Sequence, residues 1–174
     1  MDYHSDRLNI AENHGAAVVD LNQVSDPKNQ ALAFTNGKGV DAVIIASATL
    51  SDKPIHQAAD ISQQRGRIVL VGTCGLSLSR DDFYKKELKF LVSSSYGPGR
   101  YDKNYEDFGQ DYPFGFVRWT AKRNIEAVIE LMAENKIDVS ELISNRFQFN
   151  DAEQAYETVL SDKASIGVLL EFKQ

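Results

Sequence analysis

The chain has 174 residues, of which 43% are hydrophobic and 25% are charged, which is the composition of an ordinary globular protein. Its 19 basic and 25 acidic residues give a net charge of −6. This charge argues against a nucleic-acid partner, because modules that bind nucleic acids carry a basic face. One cysteine excludes an internal disulfide framework, and the sequence has neither a membrane-spanning apolar run nor a signal-peptide pattern. We therefore expect a cytoplasmic protein with one hydrophobic core and no membrane partner.

Two short helices are predicted near the start of the chain. The pattern over residues 8–12 predicts a helix that ends at Gly15, because glycine readily adopts the left-handed conformation of a helix C-cap. Pro27 predicts the first turn of a second helix, where its missing N–H costs no hydrogen bond. Gly37 or Gly39 is expected to end that helix.

Apolar runs in the first half of the chain predict strands, and helical patterns separate most of them. The predicted strands are residues 16–19, 41–47, 67–72 and 88–95, with helices over 51–64 and 79–87 between the later ones. The runs at 41–47 and 67–72 are continuous rather than alternating, which is typical of strands buried on both faces of a parallel sheet. Strands alternating with helices predict an α/β fold with right-handed crossovers.

Residues 96–118 differ in composition from the residues before them. They contain four of the seven tyrosines, four of the eleven glycines and two of the four prolines. Long irregular segments are either functional or disordered, and so many aromatic residues are unusual in a disordered linker. We expect this segment to pack on the protein, either as a plain covering loop or as part of a site.

The last third of the chain predicts two more helices and two more strands. Ile125, Val128, Ile129 and Met132 form an apolar stripe on a helix over residues 120–135. Apolar and polar residues alternate over residues 143–149, which predicts a strand with one face exposed to solvent. Asn150 with Glu153 predicts the start of a helix that continues through residue 160. Residues 166–172 predict a final strand.

The chain offers few groups for catalysis. Its three histidines, His4, His14 and His56, lie in helical surface patterns and none has metal-ligand spacing to Cys74. No nucleophile signature surrounds Cys74, and no phosphate-binding glycine motif is present. The glycines at 72–75 and 97–99 are interpreted as turns. We therefore expect no catalytic residue and no metal ligand in this chain.

The carboxyl ends of the predicted strands form a more informative group, because ligands of doubly wound sheets bind at these ends. The residues there are small, uncharged and rich in hydroxyls. They are Ala46, Ser47, Ala48 and Thr49 after one strand, Val71, Gly72 and Thr73 after the next, and Ser94 and Ser95 after a third. Such ends let a flat ring and a sugar approach the backbone closely but supply no acid or base. We interpret them as one wall of a cofactor site.

Four stretches of the chain follow one another in an order typical of one enzyme family. They are Asp2–Leu8, Asp41–Thr49, Gly66–Gly75 and Ser144–Tyr156. On these stretches the whole chain resembles the C-terminal part of medium-chain zinc-type dehydrogenases, the family of alcohol, sorbitol and threonine dehydrogenases. The likeness is greatest to bacterial oxidoreductases that fuse such a unit to a second dehydrogenase module.

The resemblance implies an incomplete Rossmann-like parallel sheet. The family's first strand and its glycine-rich turn, which binds the pyrophosphate, are absent from this sequence. The resemblance divides the chain into residues 1–97, a truncated dinucleotide-binding portion, and residues 98–174, which return toward a catalytic domain and pack on the same core. We therefore expect the chain to be the rear part of a longer enzyme.

The resemblance also implies cofactor contacts. Asp2 corresponds to the acidic residue that takes the adenosine ribose hydroxyls, with Arg7 beside it, and the end of the stretch at 66–75 lies along the nicotinamide ribose. A carboxylate at residue 2 favours NAD over NADP because it repels a 2′-phosphate. Zinc is a candidate for the longer protein, whose ligands would lie outside this chain. Gly167 stands where some relatives have an arginine for the pyrophosphate.

Two functions remain open. The chain is either part of an NAD(P)-dependent oxidoreductase that moves a hydride between nicotinamide and a secondary alcohol, polyol or sugar, or a non-catalytic α/β module that packs or self-associates. The missing first strand leaves unpaired strand edges, so we expect a homo-oligomer. The strand at 166–172 is a candidate to fill the gap or to exchange between copies. We expect the chain alone to bind no NADH tighter than about 1 mM.

Overall fold

A computed structural model describes residues 1–172 and has an α/β fold with parallel sheets. The helices are α1 (Ser5–Asn13), α2 (Pro27–Phe34), α3 (Lys53–Ile61), α4 (Arg80–Tyr84), α5 (Lys103–Glu106), α6 (Ala121–Ala133) and α7 (Ala152–Ser161). The strands are β1 (Val40–Ile45), β2 (Ser62–Leu70), β3 (Lys89–Val92), β4 (Ile143–Gln148) and β5 (Gly167–Glu171). None of the helices within the described range has the length and hydrophobicity of a membrane span.

The chain folds as two compact units, each with its own parallel sheet. The first unit contains residues 1–3 and 19–125, and the second contains residues 4–18 with the described residues from 126 onward. The first holds β1–β3 and the second holds β4 and β5.

In the first unit, the sheet has the order β1-β2-β3, and α3 covers one face. Adjacent strands pair so that Val43, Ile68 and Phe90 lie side by side across the sheet. Ile68 is fully buried with Ile55 of α3 in a cluster completed by small and apolar neighbours, namely Ile45, Ala58, Ala59, Leu70 and Cys74. This cluster is the core of the unit, as the alternation of apolar strands and helices predicts.

The opposite face of this sheet is open. Ile44, Val69 and Leu91 lie side by side on it through the strand register, and Ile44 and Leu91 are 70% and 54% exposed. The continuous apolar run at 41–47 predicts a strand buried on both faces, and that prediction is wrong for these residues. Among the described strands β1 pairs with β2 alone, so the second face and the outer edge of β1 lack the elements that bury them in a doubly wound sheet.

The predicted ends of α1 and α2 are confirmed, whereas the strand at 16–19 is not. Gly15 and Gly37 adopt positive φ after α1 and α2, and Pro27 opens α2 as predicted. Residues 16–19 form no strand; the local pairing is reduced to a parallel bridge between Asp2 and Asp20. A short apolar run forms a strand only when a partner extends alongside it.

Helix α3 ends at Ile61, three residues before the predicted end, because Ser62 is extended and begins β2. The carbonyls at this helix end are bound by a side chain from outside the helix. The ammonium of Lys86 donates hydrogen bonds to the carbonyl oxygens of Ala59, Asp60 and Ser62 at 2.8, 2.9 and 2.8 Å. Burial lowers the pKa of this lysine. One cation therefore replaces the intrahelical donors that a helix end lacks.

In the second unit, β4 and β5 form a parallel pair against which α7 packs. The predicted strand at 166–172 is confirmed as β5, but its role as a filler of the gap beside β1 is wrong, since it pairs with β4. Residues 149–151 form a short 3-10 turn before α7, and the N-terminal residue Asp151 makes no side-chain cap. The capping pattern at Asn150 therefore lies in this turn. The apolar stripe of α6 is present, yet no residue of that helix is buried.

Candidate functional site

The ends of β1 and β2 are hydrogen-bonded to each other beyond the strands themselves. The N–H of Thr73 donates to the carbonyl of Ser47 at 2.8 Å, and the N–H of Thr49 donates to the carbonyl of Thr73 at 2.9 Å. The N–H groups of Val71 and Gly72 both donate to the carbonyl of Ile45 at 2.9 Å. We call residues 46–49 and 71–73 the strand-end wall. The structure thus brings together two of the three groups of residues that the sequence singles out.

The third group lies after β3 on the other side of β2. Ser93 N–H donates to the carbonyl of Leu70 at 2.9 Å, which places the end of β3 beside the end of β2. Ser94 and Ser95 follow as exposed residues in a turn, where their carbonyls accept from the N–H of Gly97 at 3.2 and 2.7 Å. All three strand ends therefore lie along the same carboxyl edge of the sheet.

Gly72 is required by the close approach of the two loops. An added Cβ would lie 2.7 Å from the carbonyl carbon of Ala46 and closer still to the oxygen of Ser47. Its φ is not positive, so the constraint is space rather than backbone conformation. The sequence interpretation of Gly72 as part of a plain turn missed this role, because the contact is with a loop 25 residues earlier in the chain.

The wall is uncharged, and two titratable side chains of the same unit, His56 and Cys74, are engaged by carboxylates or buried. His56 on α3 lies between two carboxylates, with its Nδ1 2.5 Å from Asp82 Oδ2 and its Nε2 3.6 Å from Asp52 Oδ2. The hydrogen bond with Asp82 raises the pKa of His56, and burial raises the pKa of Cys74 in the loop after β2. His56 is therefore bound by two aspartates and the Cys74 thiol is buried, so the strand ends form a neutral contact surface.

The residues present do not fit a zinc ion. Within residues 1–172, no three His, Cys, Asp or Glu side chains lie close enough to share a metal. The single thiol is buried, and His56 is engaged by aspartates. Structural and catalytic zinc sites need three or four such ligands, so we derive no chemical step through zinc in this chain.

Asp2 and Arg7, which the resemblance places at the adenosine ribose, belong to different units. The carboxylate of Asp2 accepts from the N–H of Tyr3 at 2.7 Å, and its backbone pairs with Val19 and Leu21. Arg7 lines a groove of about 340 Å³ in the second unit with Ile10, Leu142, Ser165 and Ile166. A larger groove of about 580 Å³ lies beside α4, where Arg80 stacks 3.7 Å from the ring centre of Tyr84. Neither groove contains a strand-end residue.

Gly167 leaves no room for the arginine that some relatives place there. A Cβ at this position would lie 2.6 Å from the carbonyl oxygen of Leu142. Because that atom belongs to the backbone, a side chain at Gly167 would require the start of β5 to move away from the turn that precedes β4.

The aromatic segment, residues 96–119, is held by hydrogen bonds to α6. The sequence predicts that residues 96–118 pack on the protein and leaves open only whether they are a covering loop or part of a site. Arg123 of α6 donates to the carbonyls of Tyr112, Val117 and Arg118 at 2.8, 2.5 and 3.1 Å, and to the carboxylate of Asp111 at 2.5 Å. Sequence reasoning assigned no role to Arg123, since nothing local distinguishes it from a surface charge on a helix.

Two tyrosines fill the inside of the aromatic segment. The rings of Tyr105 and Tyr112 stack with centres 5.8 Å apart. The hydroxyl of Tyr112 donates to Asp102, which raises the pKa of the tyrosine, and the hydroxyl of Tyr105 accepts from the N–H of Lys122 at 2.9 Å. Gly99 is buried against the Tyr105 ring, where an added Cβ would lie 2.7 Å from two ring carbons.

Comparisons with known proteins agree with this architecture. The chain is 24% identical over 180 residues to the D-xylulose reductase of Scheffersomyces stipitis, which covers 98% of this chain and 43% of that protein. The structure of 2R,3R-butanediol dehydrogenase from Bacillus subtilis matches 98% of this chain with a TM-score of 0.73 at 20% identity, over 42% of its own length. A short chain alcohol dehydrogenase from Escherichia coli CFT073, solved with NADH, matches 98% with a TM-score of 0.70 at 20% identity, over 43% of its length.

The structural matches establish a Rossmann-like α/β fold, and the chain spans less than half the length of the relatives it matches. A family model described as zinc-binding dehydrogenase matches residues 1–110, which include β1–β3 and the strand-end wall. The chain therefore belongs to the zinc-binding dehydrogenase family.

Proposed function

We propose that this chain supplies part of the nicotinamide site of an oxidoreductase that transfers a hydride between NAD(P) and a secondary alcohol, such as a polyol or sugar. The observation that carries the proposal is the strand-end wall: two neighbouring strand ends joined by hydrogen bonds, small in their side chains, neutral and open. Ligands of open α/β sheets bind at such carboxyl ends. The relatives named above include a D-xylulose reductase and a 2R,3R-butanediol dehydrogenase.

The wall is suited to binding and orienting a cofactor rather than to proton transfer. Val71 offers an exposed apolar surface for a flat ring, and Thr49 and Thr73 offer hydroxyls for a ribose. When bound there, nicotinamide would supply the hydride acceptor or donor. The groups that polarise the substrate oxygen are expected from other residues, because the wall has no acid or base of its own. The activity is therefore proposed for a polypeptide that carries this chain together with such groups.

An NMR titration of the chain with NADH tests the wall directly. We expect shifts of the amide signals of Ser47, Thr49 and Thr73 with an affinity weaker than about 1 mM, equivalent to roughly −4 kcal/mol. The variant Val71→Asp should abolish these shifts because it places a carboxylate on the ring surface. Leu78→Asp is the matched control, since Leu78 and Val71 are similarly exposed. Chemical-shift changes confined to the groove around Arg7, or the absence of any change at the strand-end wall, would contradict the proposal.

The preference for NAD over NADP is assigned to Asp2. In a polypeptide with measurable turnover, the exchange Asp2→Asn should narrow the ratio of the two cofactors' kcat/KM values, because a carboxylate near the adenosine ribose repels a 2′-phosphate. An unchanged ratio of the kcat/KM values would contradict the assignment of Asp2 to the cofactor site. It would not bear on the proposal for the strand-end wall.

The open sheet face favours a second candidate function, a module that self-associates. Ile44 and Leu91 form an exposed apolar row beside the unpaired edge of β1. Unprotected edges of this kind pair with other strands. Light scattering over a range of concentrations should then show an increase of mass, whereas a strictly monomeric chain would contradict this candidate.

A further inference from the structure

The outer side of the aromatic segment carries rings and a cation that the proposed cofactor site does not use. Phe114, Phe116 and Trp119 are all more than half exposed, and Phe116 is 90% exposed. The guanidinium of Arg118 lies 5.7 Å from the ring centre of Phe114 and 5.4 Å from that of Trp119. We call Phe114, Phe116, Arg118 and Trp119 the ring patch.

Arg118 lies beside two aromatic rings and keeps its charge available. Its two ring contacts are within the distance at which a cation is attracted to an aromatic face. Among residues 1–172 no carboxylate lies within ion-pair distance of it, whereas Arg100 pairs with Glu106 and Arg123 pairs with Asp111. A guanidinium in this state presents a fork of N–H donors that suits a carboxylate.

The ring patch is preorganised. Its backbone carbonyls at Val117 and Arg118 are bound by the side chain of Arg123, and Pro98 accepts from the N–H of Ala121 at 2.8 Å. A surface that is already ordered loses little conformational entropy on binding. Exposed aromatic rings around an arginine are also the composition of interface hot spots.

The outward face of α7 has the complementary composition. Glu153, Tyr156, Glu157 and Leu160 follow one another at helical spacing, while Ala155 on the inward face is buried. Leu160 is 87% exposed, and Tyr156 is exposed as well. Neither glutamate has a basic partner within ion-pair distance in the described part of the chain. The face thus offers two large side chains, Tyr156 and Leu160, and two carboxylates that make no ion pair with the described residues.

We propose that the ring patch of one copy of this chain binds the outward face of α7 of a second copy. Leu160 and Tyr156 pack against the exposed rings, and Glu157 pairs with the guanidinium of Arg118. The charges are opposite on the two surfaces and have no ion-pair partner in the described part of the chain, and each surface carries exposed apolar side chains beside its charge. In this mode of recognition, apolar anchors at helical spacing on α7 supply affinity and the adjacent charges supply register.

The contact is heterologous, because it joins two different surfaces. Two such contacts between the same pair of molecules close a dimer, while a single contact repeated from copy to copy gives a chain of molecules. The mass distribution distinguishes these two outcomes, and both support the contact itself.

A charge exchange across the contact tests the proposal on the full chain by analytical ultracentrifugation. Arg118→Glu and Glu157→Lys should each weaken association about tenfold or more, by placing like charges together. The double variant Arg118→Glu/Glu157→Lys should restore association to within about threefold of the unchanged chain, because the pair is re-formed with reversed sign. Lys38→Glu is the control, since it replaces a cation with an anion at an exposed lysine that belongs to neither surface.

Pairing at the edge of β1 is a second way in which copies of the chain could associate. The variant Ile44→Lys distinguishes this pairing from binding through the ring patch. That variant should leave association through the ring patch intact. A chain that is monomeric up to near-millimolar concentration overturns the proposal. So does association that Ile44→Lys abolishes and Arg118→Glu leaves unchanged, and so does failure of the double variant to recover. Far-ultraviolet circular dichroism of Glu157→Lys, which alters only an exposed helix position, confirms that the loss is not unfolding.

Discussion

Replacing Gly72 with alanine is expected to force apart the two loops of the strand-end wall. The new Cβ would lie 2.7 Å from the carbonyl carbon of Ala46, inside the 3.0 Å limit that real Cβ atoms respect. The obstructing atoms belong to the backbone, so no side-chain rotation relieves the contact. The loop that contains Ser47 has to move instead.

The energetic cost follows from the hydrogen bonds that this movement breaks. The bonds from Thr73 N–H to Ser47 and from Thr49 N–H to Thr73 are 2.8 and 2.9 Å long and depend on the present spacing. Each contributes about 1 kcal/mol net, and overpacking adds about 1–3 kcal/mol, so the free energy of unfolding should fall by about 3–5 kcal/mol. For a chain of this size that corresponds to a lowering of Tm by roughly 10 °C.

Urea unfolding followed by circular dichroism measures this cost, with Gly115→Ala as the matched control. A Cβ at Gly115 meets nothing within 4 Å, and its φ is ordinary. The control should therefore change the free energy of unfolding by less than about 0.5 kcal/mol. If Gly72→Ala unfolds at the same urea concentration as Gly115→Ala, the wall is not held by this close approach and the reasoning fails.

Two further predictions concern side chains that organise the first unit. Arg123→Met removes four hydrogen bonds from the aromatic segment, so chymotrypsin should cleave within residues 96–119 about tenfold faster or more. Arg65→Met, which removes only an exposed pair with Glu87, should leave that rate unchanged; equal rates in both variants would contradict the role of Arg123. Asp82 raises the pKa of His56 in the folded chain. The pair therefore stabilises the fold fully below the unfolded pKa of about 6.5, and loses this contribution as pH rises through the folded pKa. The Tm of Asp82→Asn should accordingly lie below that of the unchanged chain near pH 6 and approach it above pH 8, as thermal melts across this range would measure; a constant difference would exclude the titration.

The sequence predicts the C-terminal ends of α1 and α2 and the start of α2 well, because single residues determine them. Gly15 and Gly37 supply the positive φ that other residues resist, and Pro27 fixes the first turn of α2. The candidate wall at 46–49 and 71–73 was also predictable, since strand ends follow directly from the apolar runs. Its residues are near one another in the fold because parallel strands bring their carboxyl ends to one edge.

Burial and long-range contacts were not predictable in the same way. Ile44 belongs to an apolar run that indicates burial, yet it is exposed because no described element covers that face. An apolar pattern indicates which side chains of a strand are suited to burial. Whether they are buried depends on the elements that pack against the strand. The roles of Gly72 and Arg123 depend on residues distant in sequence or on backbone carbonyls, which leave no local pattern to detect.

The three bonds from Lys86 to the end of α3 tie together parts of the chain that are separated by 24 to 27 residues. A helix end normally frays on its own, with amide exchange fastest in the last turn. Here the last turn of α3 opens only if the junction between α4 and β3 releases its lysine. The two segments should therefore exchange their amide hydrogens at the same rate and melt as one cooperative element, and an acetyl group on this single lysine would uncouple them.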